Sequence, residues 1–142
     1  MTGKKHKSSC NCTALRKATR RVSQLYDAAL EPCGLRTTQR AILSQIARTG
    51  TPPLGELAEA LVMDRGALTH NLKPLERDGL VKIEIDPQDR RNRLVALTAS
   101  GRAKLAESEA LWQRAQQGFE RAFGAAPENT PRRLNTAFPT GF

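Results

Sequence analysis

The sequence predicts one mainly α-helical domain that carries a small β-hairpin wing. Two observations lead to this fold class. Apolar residues recur at steps of three and four along most of the chain, and two short runs have the character of strands: 81–85, where apolar and polar residues alternate, and 93–97, which is mostly apolar. A length of 142 residues suits one domain with a modest core and is too short for two ordinary domains.

The charge balance indicates the class of partner. A formal net charge of +9 makes a polyanion the first partner to consider, with nucleic acid ahead of an anionic membrane surface. The chain has no run of about 18 apolar residues and no apolar stretch typical of a secretory signal, so we expect a cytoplasmic protein with no membrane partner. Three cysteines are too few for a disulfide framework, and in the cytoplasm they would ordinarily stay as thiols.

The first elements follow from periodicity and from helix-ending residues. Residues 1–9 are polar and basic and are predicted to form a disordered arm. A helix follows, with an apolar face and a basic remainder, and it stops at Pro32 and Gly34. Thr37 or Thr38 is expected to cap a second helix that ends near Gly50.

Two further helices are joined by a tight turn. A short helix is predicted from about Gly55 to Leu61, and a second from Arg65 to Asp78, with Asp64 accepting from its free amides. Leu68, Leu72 and Leu75 share one face of the second helix, so its polar residues face away from the core. Such a face fits the DNA major groove, and the alternative is a helix face that is only solvated. The candidate DNA contacts on this helix are Arg65, as a phosphate anchor, and Thr69, His70 and Lys73.

Pro74 departs from an ideal recognition helix. Its ring removes one backbone donor and presses on the carbonyl of His70, so the sequence predicts a bend or a loss of regularity in the last turns.

The hairpin loop DPQDRRNR places several arginines at the tip of two short strands that follow a helix-turn-helix. A ribbon in this position is a wing that can reach the minor groove, where arginine tolerates a narrow groove with strong negative potential. Asp89 is expected to orient the guanidinium of Arg91, or of a neighbour, in a bidentate pair. The wing candidates for DNA binding are therefore Asp89, Arg90, Arg91 and Arg93. The alternative is a polar loop with an exposed ion pair.

The stretch LGELAEALVMDRGALTHNLKPLERDGLV, followed by DPQDRRNRLVALTASGRAKL, resembles the winged helix-turn-helix core of the MarR (multiple antibiotic resistance regulator) family. The resemblance is strong over residues 35–105 and looser in the flanking helices. It implies a homodimeric bacterial transcription factor, usually a repressor, that binds a palindromic operator in double-stranded DNA. It also implies release by a small phenolic or other aromatic ligand or by oxidation.

The resemblance gives the domain organisation. It consists of a basic arm at 1–9, an N-terminal dimerisation helix at 10–34, the winged helix-turn-helix core at 35–98, a long dimerisation helix at 99–124 and a proline-containing tail at 125–142. Family members typically end in a long helix that interlocks with the partner. The prolines of this tail leave room for a short helix between them but predict that the interlocking helix is missing or much reduced, so dimerisation must depend on the other two flanking helices.

Apolar residues of the two flanking helices form one candidate cluster. We interpret it first as core and dimer interface and second as the wall of a pocket for a small aromatic effector. Its members are Leu15, Val22, Leu25, Tyr26, Trp112 and Phe119.

The cysteines offer an alternative to ligand sensing. Cys10 and Cys12 lie at the expected start of the first helix, where the helix dipole and nearby cations would favour a thiolate, whereas Cys33 follows its end. A straight helix of this length excludes an intrachain disulfide between Cys10 and Cys33, but not an interchain one. Inert thiols are the simpler interpretation. A metal site at His6, Cys10 and Cys12 lacks the usual zinc spacing, so we expect neither a metal nor a cofactor.

Two other function classes fit the sequence less well. The chain has no phosphate-binding glycine loop, no G-x-S-x-G and no H-E-x-x-H, so we do not expect an enzyme. A winged helix that serves as an architectural or protein-interaction module is the better rival, and an excess of random DNA should compete with it more easily than with a sequence-specific regulator.

Overall fold

The computed structural model describes residues 10–125 and 130–138, and it confirms a mainly helical fold with one antiparallel hairpin. In chain order the elements are α1 (Asn11–Leu30), a 3-10 turn (Glu31–Cys33), α2 (Thr37–Thr49), α3 (Leu54–Ala60), α4 (Arg65–Arg77), β1 (Val81–Ile85), β2 (Arg93–Leu97), α5 (Ala99–Phe123) and α6 (Thr130–Ala137). Within the described part of the chain, none of the helices has the length and hydropathy that a membrane-spanning segment needs.

The hydrophobic core lies where α2, α3, α4 and the base of the hairpin meet. The three leucines predicted to share one face of α4 are all at most 1% exposed, and the isoleucines of α2 are fully buried. This packing fixes which face of α4 remains in solvent, because a helix that buries one stripe must expose the opposite one.

The hairpin is anchored to the body at its base. Its register runs from Val81 opposite Leu97 to Ile85 opposite Arg93. Val95 is fully buried, and its backbone N–H donates to the carbonyl of Pro52, 3.0 Å away, just before α3. The base of the wing is therefore tied to the helix-turn-helix, while its tip extends into solvent.

A close junction connects the hairpin to α5. The hydroxyl of Thr98 accepts from the backbone N–H of Gly101 at 3.0 Å and donates to the carbonyl of Gly79 at 2.6 Å. Gly101 is buried, and a β-carbon at this position would overlap the backbone carbonyl of Leu80. Only glycine lets α5 start this close to the chain that leads into the wing.

Arg40 links α2 to α5. Its guanidinium donates to Ser108 Oγ at 3.0 Å and to Glu109 Oε2 at 2.8 Å, and it lies 4.4 Å from the ring centroid of Trp112. Arg40 is only 8% exposed, and burial lowers its pKa, opposed by Glu109. A buried cation needs such partners, so this cluster holds α2, which packs beside the recognition helix, to the long α5.

The structure departs from the sequence-based expectations at two places. Thr37 is the first residue of α2 and does not cap it: the side chain of Asp27 accepts from the N–H of Thr37 at 2.7 Å, and that of Gln39 accepts from the N–H of Arg36. Helix α4 continues through Pro74 to Arg77, so the predicted loss of helical regularity is absent, while the alternative, a bend, stays a prediction.

In the C-terminal segment, where the sequence left room for a short helix but predicted no long one, Thr130–Ala137 form the eight-residue helix α6, which includes Pro131. The predicted basic arm at 1–9 and residues 126–129 and 139–142 of the predicted tail lie outside the described residues. The proposed domain boundaries stay predictions.

Candidate nucleic-acid interface

The solvent face of α4 collects the side chains that the sequence selected. Asp64 caps the helix, since its Oδ1 accepts from the N–H of Ala67 at 2.7 Å. Thr69, His70 and Lys73 are all exposed, on the side opposite the buried leucines. Helix α4 thus has a capped N-terminal end and a polar, partly basic outer face.

His70 also lines a cleft beside the outer face of α4. The cleft has a volume of about 320 Å³, lies between α4 and the α1–α2 junction, and is also lined by Asp27, Arg36, Asn71 and other polar residues. His70 is therefore placed between the outer face of α4 and this cleft, whereas Thr69 and Lys73 do not line it.

Arg65, the first residue of α4, lies across the start of α3. Its guanidinium occupies the space beside Gly55 that a β-carbon would fill. Because Gly55 has no side chain, Arg65 can lie over α3 and still remain exposed to solvent. The sequence-based interpretation missed this role of Gly55, because only the tertiary packing of α3 against α4 brings the two residues together.

The wing tip is ordered by its own side chains. Asp89 Oδ1 accepts from the backbone N–H of Arg91 at 3.1 Å and from its Nε at 3.2 Å. One carboxylate oxygen thus holds both the turn and the guanidinium, in place of the bidentate pair that we expected. The Arg91 side chain is 91% exposed, so the pair presents the cation to solvent.

The other two wing arginines differ from each other. Arg93 donates from Nη1 to the carbonyls of Arg90 at 3.1 Å and Asn92 at 3.4 Å, so its side chain is folded along the loop. Arg90 is exposed at the tip. The structure brings all four wing candidates to one end of the hairpin, with Asp89, Arg90 and Arg91 in the loop and Arg93 at the start of β2. Arg90 and Arg91 are its outward cations.

The structure brings together only part of the apolar cluster predicted on the flanking helices. A cavity of about 560 Å³ opens between α1, α5 and α6, and four of the six predicted residues line it: Leu15, Val22, Tyr26 and Phe119. Tyr26 donates from its hydroxyl to Gln116 Oε1 at 2.6 Å, and burial, together with Glu120, raises its pKa. Trp112 instead stacks against Arg40, and Leu25 is 44% exposed outside the cavity.

The cysteines occupy two different environments. Cys10 and Cys12 are exposed, whereas Cys33 is buried and its thiol donates to the carbonyl of Leu30 at 3.1 Å. The backbone of Thr13, then its hydroxyl and then the backbone of Cys12 lower the pKa of Cys10. Cys33 offers no exposed sulfur to an oxidant, so the redox alternative depends on Cys10 and Cys12. Across residues 10–125 and 130–138, no group of three or more metal-ligating side chains converges.

The sequence-based interpretation also missed Arg40. A signal was present, because this arginine falls beside the apolar stripe of α2, within three residues of Ile42 and Leu43. A charge at the edge of a buried stripe indicates a partner on the facing element.

Comparisons with known proteins place this geometry in a family. Residues 35–92 match the sequence model of the MarR family. The chain is 42% identical over 77 residues to the transcriptional activatory protein BadR of Rhodopseudomonas palustris, a match that covers 52% of this chain and 44% of BadR, less than half of that protein's length.

Solved structures match over a larger share of the chain. The M. tuberculosis transcriptional regulator MosR, crystallised with DNA, is 35% identical, has a TM-score of 0.77, and is matched over 91% of this chain and 92% of its own. A cysteine-to-serine mutant of E. coli MarR, complexed with operator DNA, is 26% identical, with a TM-score of 0.74 and 89% of each chain covered.

Proposed function

Since the chain belongs to the MarR family of transcriptional regulators, we propose that it acts as a homodimer that binds a palindromic operator and represses transcription. It is a DNA-binding regulator and not an enzyme. One observation carries the finer proposal: the exposed polar face of α4 and the arginine tip of the hairpin belong to one packed unit, because α4 leads through the turn at Gly79 into β1, and the N–H of Val95 in β2 donates to the carbonyl of Pro52 just before α3.

We place α4 in the major groove and the hairpin tip in the adjacent minor groove. The side chains near the start of α4, Arg65 and Thr69, would meet phosphates and base edges, because a recognition helix enters the groove by its N-terminal residues. Lys73 lies one turn further on. Arg90 and Arg91 would enter the minor groove, where negative potential favours a weakly hydrated cation.

The dimer would form through α1, α5 and α6. Large apolar side chains are exposed in the single chain at Leu15 and Leu25 of α1, at Phe123 of α5 and at Phe138, which directly follows α6, each 44% exposed or more. Exposed apolar side chains of this size are typical of an interface between subunits. Two-fold symmetry would then repeat α4 about one DNA turn away, roughly 34 Å, which is the spacing that a palindrome requires.

Selection of bound fragments from random DNA by the purified protein tests this proposal. We expect enrichment of a palindrome whose half-sites are about 10 base pairs apart, and retention of that fragment against excess random DNA. Enriched sequences without a repeat, or loss of the complex to random DNA, would favour the architectural alternative. Transcription in vitro from a promoter carrying the palindrome should fall when protein is added, and a rise would make the protein an activator, as the name of BadR describes that relative.

We assign release from DNA to a small aromatic ligand in the cavity between α1, α5 and α6. Its volume of about 560 Å³ and its mainly apolar wall suit such a molecule, and the Tyr26–Gln116 pair supplies polar atoms at the wall. The ligand must fit the non-binding arrangement of the dimer better, since only differential affinity shifts the equilibrium.

Titration of the operator complex with salicylate-like compounds tests the ligand site. We expect release from the wild type and a weaker response from Val22→Phe, which puts a ring into the cavity. Thr49→Phe, which puts the same ring on the exposed end of α2, outside both the cavity and the dimer helices, should respond like the wild type. Equal responses of all three proteins would place the ligand elsewhere.

Thiol oxidation is the second candidate, favoured by the lowered pKa and the exposure of Cys10. The Cys10 thiolate would attack peroxide and then form a disulfide with a second thiol, so that two thiols are oxidised while peroxide is reduced to two waters. Release of operator DNA by peroxide should then disappear in a Cys10→Ser variant and persist in Cys33→Ser. Release that persists in the Cys10→Ser, Cys12→Ser double variant would remove this candidate.

A further inference from the structure

The turn between α3 and α4 holds a valine in a left-handed conformation. Val62 has φ of 53°, and it is the one residue other than glycine with positive φ among the described residues. Left-handed backbone crowds a side-chain β-carbon, and a β-branched residue is least suited to it. The position therefore carries local strain.

Two hydrogen bonds impose this conformation. The N–H of Val62 donates to the carbonyl of Glu59 at 3.0 Å, and the N–H of Met63 donates to the carbonyl of Ala58 at 2.9 Å. This pattern ends a helix through a left-handed residue, which is usually glycine. The turn thus fixes the backbone whatever side chain is present.

The chain provides its own comparison at the end of α4. There Gly79 donates to the carbonyl of Glu76, and Leu80 donates to that of Leu75, which is the same pattern with glycine at the left-handed position. The two turns differ in the residue at this position. The valine at the first turn is therefore not required by the turn itself.

Burial does not explain the valine either. Val62 is 77% exposed, whereas its neighbour Met63 packs against the core. An exposed isopropyl group in a strained backbone contributes little to the stability of the isolated chain. Strain that persists without a stabilising contact points to a contact made only with a partner.

The position of Val62 indicates that partner. It lies two residues before Asp64, which caps α4, so it stands beside the end of the recognition helix that meets base edges. Among the groups displayed in the major groove, the 5-methyl of thymine is the one that an apolar side chain recognises. We propose that Val62 packs against a thymine methyl in each half-site and thereby sets a preference for thymine at that position. This proposal rests on the proposed DNA-binding function.

Removal of single methyl groups from the operator tests the contact. Each thymine of the selected operator is replaced in turn by deoxyuracil, which lacks only the 5-methyl, and the Kd is measured for wild type and Val62→Gly. We expect one position where the wild type loses about fourfold in affinity per half-site, the loss typical of one buried methyl-sized group. Val62→Gly should show no loss at that position.

Thermal unfolding supplies the second readout. Val62→Gly should raise Tm by about 2 to 5 °C because the strain is removed, and the reverse change Gly79→Val should lower it. Val62→Asn, which tolerates left-handed backbone but is polar, should be as stable as the wild type or more so and should lack the methyl preference.

The outcomes separate the two proposals. A wild type that selects no operator contradicts the proposed function. A wild type that binds its operator but loses affinity equally with Val62→Gly at every deoxyuracil, or loses none anywhere, overturns the Val62 contact and leaves the proposed function standing.

Discussion

At the scale of single residues, the arginines of the wing are not equivalent to one another. Arg91 is presented to solvent by Asp89, whereas Arg93 is folded onto the loop carbonyls. An exposed ion pair contributes ~1 kcal/mol or less to folding, so the Asp89–Arg91 pair matters mainly for the position of the guanidinium. The function of the loop therefore depends on orientation more than on stability.

Arg91→Ala should weaken binding to operator and random DNA alike, and the slope of log affinity against log salt should shrink by roughly 0.9 for each phosphate that Arg91 neutralises in the wild type. Asp89→Ala should act partly through Arg91. Since Asp89 also accepts from the backbone N–H of Arg91, we expect its effect to shrink but not to vanish in the Arg91→Ala background. Unchanged affinity and an unchanged salt slope in Arg91→Ala would show that Arg91 is exposed to solvent and makes no contact with DNA.

The thiol of Cys10 gives a prediction about pH. Its pKa is lowered, so a larger thiolate fraction is present at neutral pH than for an ordinary thiol, and reactivity is lost only when pH falls through the lowered value. In a variant with Cys12 and Cys33 both changed to serine, the midpoint of the iodoacetamide rate profile should lie below that of free glutathione. A midpoint at or above that of glutathione would contradict the thiolate assignment.

At the scale of elements, most of the helices and both strands could be predicted from sequence. Asp64 caps α4 and the leucines of α4 are buried, as predicted. Both features could be predicted because a helix cap and a 3.6-residue period depend only on residues close together in the sequence. The cap of α2 could not be predicted, since Asp27 reaches it from another helix. The same reason explains why Gly55 was missed. For Arg40 one signal was present in the sequence, its place beside the apolar stripe of α2, but its partners on α5 depend on how the two helices pack.

The junction between hairpin and α5 gives a matched pair of glycine substitutions. Gly101→Ala should destabilise the fold by about 1 to 3 kcal/mol, because the added methyl overlaps the Leu80 carbonyl and outweighs the better helix propensity of alanine. Gly118→Ala, in the same helix with ordinary space around it, should stabilise by up to ~1 kcal/mol. Urea unfolding measures both, and a neutral Gly101→Ala would show that the junction can shift at little cost.

At the scale of the whole molecule, the contacts of Arg40 with Ser108, Glu109 and Trp112 connect the DNA-binding unit to α5. Arg40→Ala should lower the free energy of unfolding by about 2 to 3 kcal/mol, because it removes a packed side chain and two hydrogen bonds from a buried position. Glu109→Gln should cost under ~1 kcal/mol, since the Glu109 side chain is 54% exposed. Similar losses in the two variants, measured by urea unfolding, would assign the link to the ion pair and not to the packed guanidinium.

The central claim is that two copies of α4 and of the wing read one operator together. It is tested most directly by the affinity of the protein for the selected operator and for the same operator with five base pairs inserted between its half-sites. The insertion turns one half-site by about half a DNA turn, so the second copy can no longer dock and the affinity should fall at least about 100-fold, the usual gain from linked binding. Equal affinities for the two duplexes would contradict a dimer that reads a palindrome.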